Sequence, residues 1–257
     1  MKAALVGKGI SYTMSNKIHK LIGEINNFNI EYSIKDFDEG SFEDFFNKES
    51  YLTYNGLNIT TPFKEKAFDY MHLIDENVRL LKVVNTIKVD DNFLIGYNTD
   101  YLAFKEMVKE IDFENKEVYI LGTGGAAKVC YQVFKEMKFK ITVVSRSIKR
   151  KKPFKKIISY EKLNKLKNIS TIVNATPVGN LNNKGCLVDS NDKNIDLVID
   201  LNYNPKQTEL MRLAKRSYNG LKMLILQAIY AEEIWLDREL KRDELTIKLI
   251  EESLDYE

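Results

Sequence analysis

The stretch that most restricts the fold of this chain is Val118-Tyr119-Ile120-Leu121-Gly122-Thr123-Gly124-Gly125-Ala126-Ala127. Four apolar residues read as a buried strand, a glycine turn follows, and helical periodicity then runs to about residue 137. Gly122, Gly124 and Ala127 fit the spacing G-x-G-x-x-A, with Gly125 and Ala126 between them. The first glycine permits the tight turn, and the second lets the backbone approach a pyrophosphate. The small third residue allows the helix to pack closely on the strand, and the helix N-terminus favours negative charge. A glycine turn alone proves little, so the weight lies in its setting. Strand-like runs recur at 141–144, 171–174 and 197–200 with helical segments between them. Such a βαβ series predicts an α/β fold with a parallel, doubly wound sheet of the Rossmann type.

The first hundred residues carry a different α/β pattern. Runs at 3–6, 32–37 and 56–59 read as strands, and 84–89 with 93–97 as a hairpin across Asp90-Asp91-Asn92. Ser15 reads as the N-cap of a helix with Ile18, Leu21, Ile22 and Ile25 on one face. Helices are also expected at 42–46, at 64–70 and at 100–111, the last leading into a second domain. From Met223 the pattern stays helical to Leu254. A chain of 257 residues suits one large domain or two modest ones. The division expected is 1–100, 101–222 and a helical tail, 223–257.

Several classes are set aside by composition. A net charge of +2, with the lysines spread out, gives no signal for a nucleic-acid partner. Cys130 and Cys186 form neither a disulfide framework nor a zinc spacing, and His19 and His72 are too isolated for a metal site, so no metal is expected. The first residues read as a strand rather than a signal peptide, and no apolar run approaches membrane-spanning length. The expectation is a cytoplasmic protein with a small-molecule substrate and no membrane partner.

Two strand ends carry chemistry. In Asn58-Ile59-Thr60-Thr61-Pro62-Phe63-Lys64 a short strand runs into a polar turn, and Pro62 ends pairing because it has no N–H to donate. Lys64 then emerges at the carboxyl end of a strand, where open α/β sheets bind ligands. Gly96-Tyr97-Asn98-Thr99-Asp100 places a carboxylate at another strand end. Alone, Lys64 is a solvated lysine, but a lysine facing a carboxylate in a cleft is equipped for proton transfer. In the glycine-loop domain, the strand at 141–144 ends in Ser145-Arg146-Ser147, with Arg150 beyond, inside the basic run Lys149-Arg150-Lys151-Lys152. Domains that bind NAD usually have a carboxylate there for the ribose hydroxyls. Here Arg146, Ser147 and Arg150 suit a 2′-phosphate, which selects NADP.

With these motifs in order, the chain resembles the shikimate dehydrogenases over nearly its whole length. The resemblance implies an N-terminal substrate domain, a Rossmann-type NADP domain, and C-terminal helices that pack back on the first domain. It implies reversible, NADP-dependent reduction of 3-dehydroshikimate to shikimate, with Lys64 and Asp100 as the catalytic pair. Thr13 and Ser15 resemble the two serines that hold the substrate carboxylate. Thr60, Asn85 and Gln227 resemble its binders of ring hydroxyls, and Tyr203 a tyrosine near the carboxylate. Ser145, Arg146, Ser147 and Arg150 resemble the family's Asn-Arg-Thr…Arg phosphate cluster, with Ser145 in place of the Asn. Asn174 and Thr176, in Asn174-Ala175-Thr176-Pro177-Val178-Gly179, resemble its nicotinamide-side loop, and Gly220 and Met223 residues near the nicotinamide. The chain departs from the pattern at Gly9, Tyr12, Thr13, Asn16, Tyr101 and Asn180, whereas His19 matches. The departures around Thr13 leave open a quinate/shikimate dehydrogenase of relaxed specificity. An NADP-sensing regulator without turnover is the alternative from another class. The assembly expected is a monomer or a homodimer.

Overall fold

A computed structural model describes residues 1–10, 13–149, 151–190 and 193–254. In chain order the regular elements are β1 (Lys2–Gly7), α1 (Ser15–Ile25), β2 (Glu31–Asp36), α2 (Glu39–Asn47), β3 (Gly56–Ile59), β4 (Leu73–Ile74), α3 (Glu76–Leu81), β5 (Thr86–Asp90), β6 (Phe93–Tyr97) and α4 (Thr99–Lys109). There follow β7 (Glu117–Leu121), α5 (Gly125–Glu136), β8 (Lys140–Val144), β9 (Ile157–Ile158), α6 (Tyr160–Asn164), β10 (Asn168–Asn174), β11 (Asn194–Asp200), β12 (Ala214–Asn219), α7 (Leu221–Leu236) and α8 (Glu244–Ser253). The chain divides into two compact units, one of Met1–Ala103 with Leu224–Leu254, the other containing Phe104–Met223.

The first unit holds a mixed sheet in the order β2-β1-β3-β5-β6-β4. β1 runs parallel to both β2 and β3, and β5 pairs antiparallel with β3 and β6. The β5–β6 hairpin closes through Asp91 and Asn92, both at positive φ, the conformation a two-residue hairpin loop requires. One face of the sheet packs on aromatic residues, with Phe63 stacked on Phe42 at 4.3 Å between ring centres. Residues Ala3, Leu5, Ile10 and Tyr32 pack with Ala231 and Trp235 from α7. The Trp235 indole N–H donates to the Ile87 carbonyl at 3.0 Å, so α7 is tied to this sheet by a directed contact.

The second unit is all parallel, in the order β12-β11-β10-β7-β8-β9. Counted within the unit this is 6-5-4-1-2-3, the order of dinucleotide-binding sheets. The strand order reverses between β7 and β10, so the carboxyl ends of those two strands flank the switch point.

Three local expectations are corrected. Ser15 is not the N-cap: Met14 holds that position without a side-chain bond, and Ser15 is the first helical residue. The α-helix expected at 64–70 is a 3-10 segment confined to Lys66–Tyr70. The helical tail is broken in two, because Asp237 takes a left-handed φ of 49° and Asp243 caps a new helix through Thr246 N at 3.0 Å.

Candidate active site

Lys64 and Asp100 meet: Lys64 Nζ donates to Asp100 Oδ2 at 2.5 Å. Their side chains are 22% and 12% exposed, so the pair is sheltered yet reachable. The local structure accounts for the meeting. Phe63 is buried in the aromatic core, and the Lys64 carbonyl accepts from Val84 N at 2.9 Å, so the lysine is fixed on both sides. Asp100 lies in the first turn of α4, at the positive end of the helix dipole. Asn98 starts that helix: its Oδ1 accepts from Tyr101 N at 2.9 Å, and its Nδ2 donates to the Val83 carbonyl at 2.8 Å. The side chain of Tyr101 is buried and leaves the helix start regular.

The other groups expected around substrate in the first unit are placed unequally. Thr13 Oγ1 and Ser15 Oγ are 2.9 Å apart, and Thr13 Oγ1 also accepts from Ser15 N at 3.2 Å. The start of α1 thus gathers two hydroxyls, with no acidic residue in the first turn. Thr60 is half-buried, its N–H donating to the Val6 carbonyl at 2.9 Å. Asn85 is buried and committed to α4: its Oδ1 accepts from Thr99 N at 2.7 Å, and its Nδ2 donates to Thr99 Oγ1 at 2.9 Å. Gln227 Nε2 turns back to the Leu224 carbonyl of its own helix at 2.9 Å. Tyr203 belongs to the second unit, on the loop after β11.

In the second unit, Gly122 follows β7 with φ +100°, and a Cβ there would come within 2.9 Å of the Thr176 methyl. The glycine turn and the loop after β10 therefore meet at the switch point. Among the described residues, a Cβ on Gly124 would meet nothing within 4 Å. The chain's own packing leaves room there for a ligand to approach the backbone. Gly124 caps α5 without a side-chain bond, and the first turn, which includes Gly125, Ala126 and Ala127, has no acidic residue. Register pairs Leu121 with Val144, so the end of β8 lies beside the glycine turn. Beyond it Ser145 is half-buried, its Oγ accepting from Ser147 N at 3.3 Å, and Arg146 and Ser147 are exposed. These residues fit a phosphorylated dinucleotide. Arg150 lies outside the described residues. Gly220 has a structural reason of its own, since a Cβ there would strike the Leu201 carbonyl at 2.1 Å, and Met223 is buried.

Two residues that motif reading passed over, Asp200 and Asn202, organise the loops of the second unit. Asp200 is buried and accepts from Asn174 Nδ2 at 3.0 Å, Asn202 N at 3.0 Å, Asn202 Nδ2 at 2.9 Å and Thr208 Oγ1 at 2.7 Å. Burial pushes its pKa up, and these hydrogen bonds pull the other way. Asn202 Nδ2 also reaches the carbonyls of Thr176 and Val178, both at 3.1 Å. A polar residue ending an apolar strand, as Asn174 and Asp200 both do, is the sequence signal for this knot. Among the described residues no group of three or more His, Cys, Asp or Glu gathers as a metal-holding set. Nor is any helix long and apolar enough to cross a membrane.

Comparison with known proteins places this geometry among relatives. Residues 5–87 match the family model of the shikimate dehydrogenase substrate binding domain. The NADP(+) shikimate dehydrogenase of Clostridium botulinum (strain Hall) is 35% identical over 245 residues, covering 90% of this chain and 95% of the relative. That of Clostridium perfringens (strain 13) is 32% identical over 270 aligned residues, covering 97% of each chain. Among solved structures, shikimate dehydrogenase 1 of Peptoclostridium difficile superposes with a TM-score of 0.85 at 36% identity, covering 97% of this chain and 95% of that one.

Proposed function

The chain belongs to the shikimate dehydrogenase family, and from that premise we propose that it interconverts shikimate and 3-dehydroshikimate with NADP, Lys64 and Asp100 carrying the proton transfer. The observation that supports this most is the 2.5 Å contact of Lys64 Nζ with Asp100 Oδ2. A non-catalytic NADP sensor would have no use for a sheltered amine–carboxylate pair.

Oxidising a secondary alcohol removes a hydride and a proton. Bound NADP⁺ supplies the hydride acceptor. Lys64 as a neutral amine takes the hydroxyl proton, and in the reverse direction its ammonium returns a proton to the carbonyl oxygen. Asp100 holds the Lys64 amine in place and accepts a hydrogen bond from substrate. Thr13 and Ser15, at the start of α1, hold the substrate carboxylate, since helix N-terminal N–H groups and hydroxyls suit an anion. Asn85 offers its second amide hydrogen to a ring hydroxyl, beside Thr60. Gln227 joins them by giving up its bond to Leu224. Tyr203 serves the carboxylate. Gly122, Gly124 and the start of α5 receive the pyrophosphate, Arg146 and Ser147 the 2′-phosphate, and Asn174 and Thr176 the nicotinamide side.

The test is a spectrophotometric assay of shikimate oxidation with NADP⁺, repeated with NAD⁺ and with quinate. Turnover of shikimate with NADP⁺ supports the reading. Cofactor binding without turnover on either acid would sink it.

A further inference from the structure

We infer that the buried pair His19–Glu232 is a positioning device that fixes the start of α1 against α7, and with it the spacing between Ser15 and Gln227. The inference rests on the proposed role of Ser15 and Gln227 in holding substrate. His19 Nδ1 and Glu232 Oε1 are 2.7 Å apart, and neither side chain is exposed. His19 lies four residues after Ser15 and both are buried, so they share the inward face of α1. Glu232 lies five residues after Gln227 on α7.

Packing alone does not call for this pair. His19 stacks on Tyr32 at 4.0 Å and on Trp235 at 5.6 Å, in a cluster that includes Ala3, Leu5, Ile10 and Ala231. In such surroundings an apolar pair of similar volume is commonly as stable as a polar one or more so. Burial drives both groups neutral, Glu232 up to about 9 and His19 down to about 3. Among the described residues, His19 Nε2 and Glu232 Oε2 are buried without a hydrogen-bond partner. The Nδ1–Oε1 bond is therefore the contact that offsets the burial of both groups, and it has a set length and direction. Apolar side chains cannot fix two helices in that way.

The pair also stands at the end of a polar row. Tyr32, under the His19 ring, donates to Asn58 Oδ1 at 2.7 Å, and Asn58 Nδ2 donates to Thr86 Oγ1 at 3.2 Å. Thr86 Oγ1 is 2.9 Å from Thr99 Oγ1, one residue from Asp100. The row thus runs from α1 and α7 through β2, β3 and β5 to the start of α4, and each end carries groups proposed to touch substrate.

The experiment compares wild type, Glu232→Gln and the double variant His19→Phe/Glu232→Leu by KM for shikimate, KM for NADP⁺, kcat and Tm. Glu232→Gln retains a hydrogen bond to His19 and should leave KM for shikimate within roughly twofold of wild type. The double variant removes both polar groups at similar volume and should fold with a Tm at or above wild type. Its KM for shikimate should nonetheless rise about three- to tenfold, as for loss of part of a hydrogen bond to an anion. Its KM for NADP⁺ should not change. A wild-type KM for shikimate in the double variant overturns the inference. So does an equal rise in KM for NADP⁺, or a rise in Glu232→Gln as large as in the double variant. Wild type that fails to turn over shikimate removes the functional reading and this one together. Active wild type with an unchanged double variant removes this one alone.

Discussion

Asn174 and Asp200 are register partners at the carboxyl ends of β10 and β11, and their side chains bond at 3.0 Å. This contact ties the loop that carries Thr176 to the loop that carries Tyr203. Asp200→Asn replaces an acceptor of four hydrogen bonds with an amide that presents donors of its own. Hydrogen bonds to a charged group are worth about 1.5–3 kcal/mol each, so a stability loss of at least about 2 kcal/mol is expected in urea unfolding. NADP⁺ binding should weaken in parallel. An Asp200→Asn enzyme with wild-type stability would show that the carboxylate is dispensable to the knot.

Lys64→Ala should lower kcat by roughly 10²–10⁴-fold, the usual worth of a positioned general acid–base group. Affinity for NADP⁺ should change little, because the lysine is assigned to substrate. Asp100→Asn should also lower kcat while leaving the circular dichroism spectrum intact. A near-normal kcat in Lys64→Ala would remove the lysine from the chemistry.

Arg146 is exposed beyond β8, next to Ser147. Arg146→Ala should weaken NADP⁺ binding by about 1.5–3 kcal/mol, the range for hydrogen bonds to a charged group. That is roughly 10–150-fold in Kd by titration. NAD⁺, lacking the 2′-phosphate, should lose much less. Equal losses for the two cofactors would place Arg146 elsewhere.

What the sequence made legible follows from the range of each signal. Short continuous apolar runs located the sheets because strands buried on both faces leave no polar positions, and the glycine loop located the dinucleotide end because one backbone geometry demands those glycines. Lys64 and Asp100 could be named as a pair only through resemblance, since 36 residues separate them and no local pattern encodes their contact. The break at Asp237 escaped because a left-handed aspartate looks like any surface residue in a helical run. Ser15 was misplaced because the residue type that caps helices also serves inside the first turn. Glu232 was invisible for another reason: a glutamate on a helix is expected to face water, and only the packed fold shows it facing His19.

The same pair gives a pH dependence. Burial raises Glu232 from 4.5 to about 9, so its contribution to stability is fully present below pH 4.5 and is lost as pH rises towards 9. Burial lowers His19 from 6.5 to about 3, so its contribution is present above pH 6.5 and is lost as pH falls towards 3. Between pH 4.5 and 6.5 the two slopes cancel, and the pair's contribution is flat. Above 6.5 it falls by up to about 1.4 kcal/mol per pH unit, the worth of one proton. Glu232→Gln should remove that alkaline fall and keep the acid one. Parallel curves for variant and wild type from pH 6.5 to 9, by urea unfolding, would show that Glu232 does not titrate there.

Thr13 bears on the choice between shikimate and quinate. Its Oγ1 is 2.9 Å from Ser15 Oγ, so the two hydroxyls already form one unit at the start of α1. Quinate has a saturated ring and an extra hydroxyl on the carbon bearing the carboxylate, and both differences fall where that unit is proposed to act. The extra hydroxyl must lose water and find a partner, and an unmade pairing costs about 1–3 kcal/mol. The Thr13 methyl, absent from serine, adds bulk to that unit. Shikimate should therefore be preferred by at least about tenfold in kcat/KM, the equivalent of 1.4 kcal/mol. Thr13→Ser keeps the hydroxyl and removes the methyl, so it should raise quinate turnover more than shikimate turnover. Comparable kcat/KM for the two acids in wild type would overturn the preference and establish relaxed specificity. An equal response of both acids to Thr13→Ser would show that the methyl does not narrow the site.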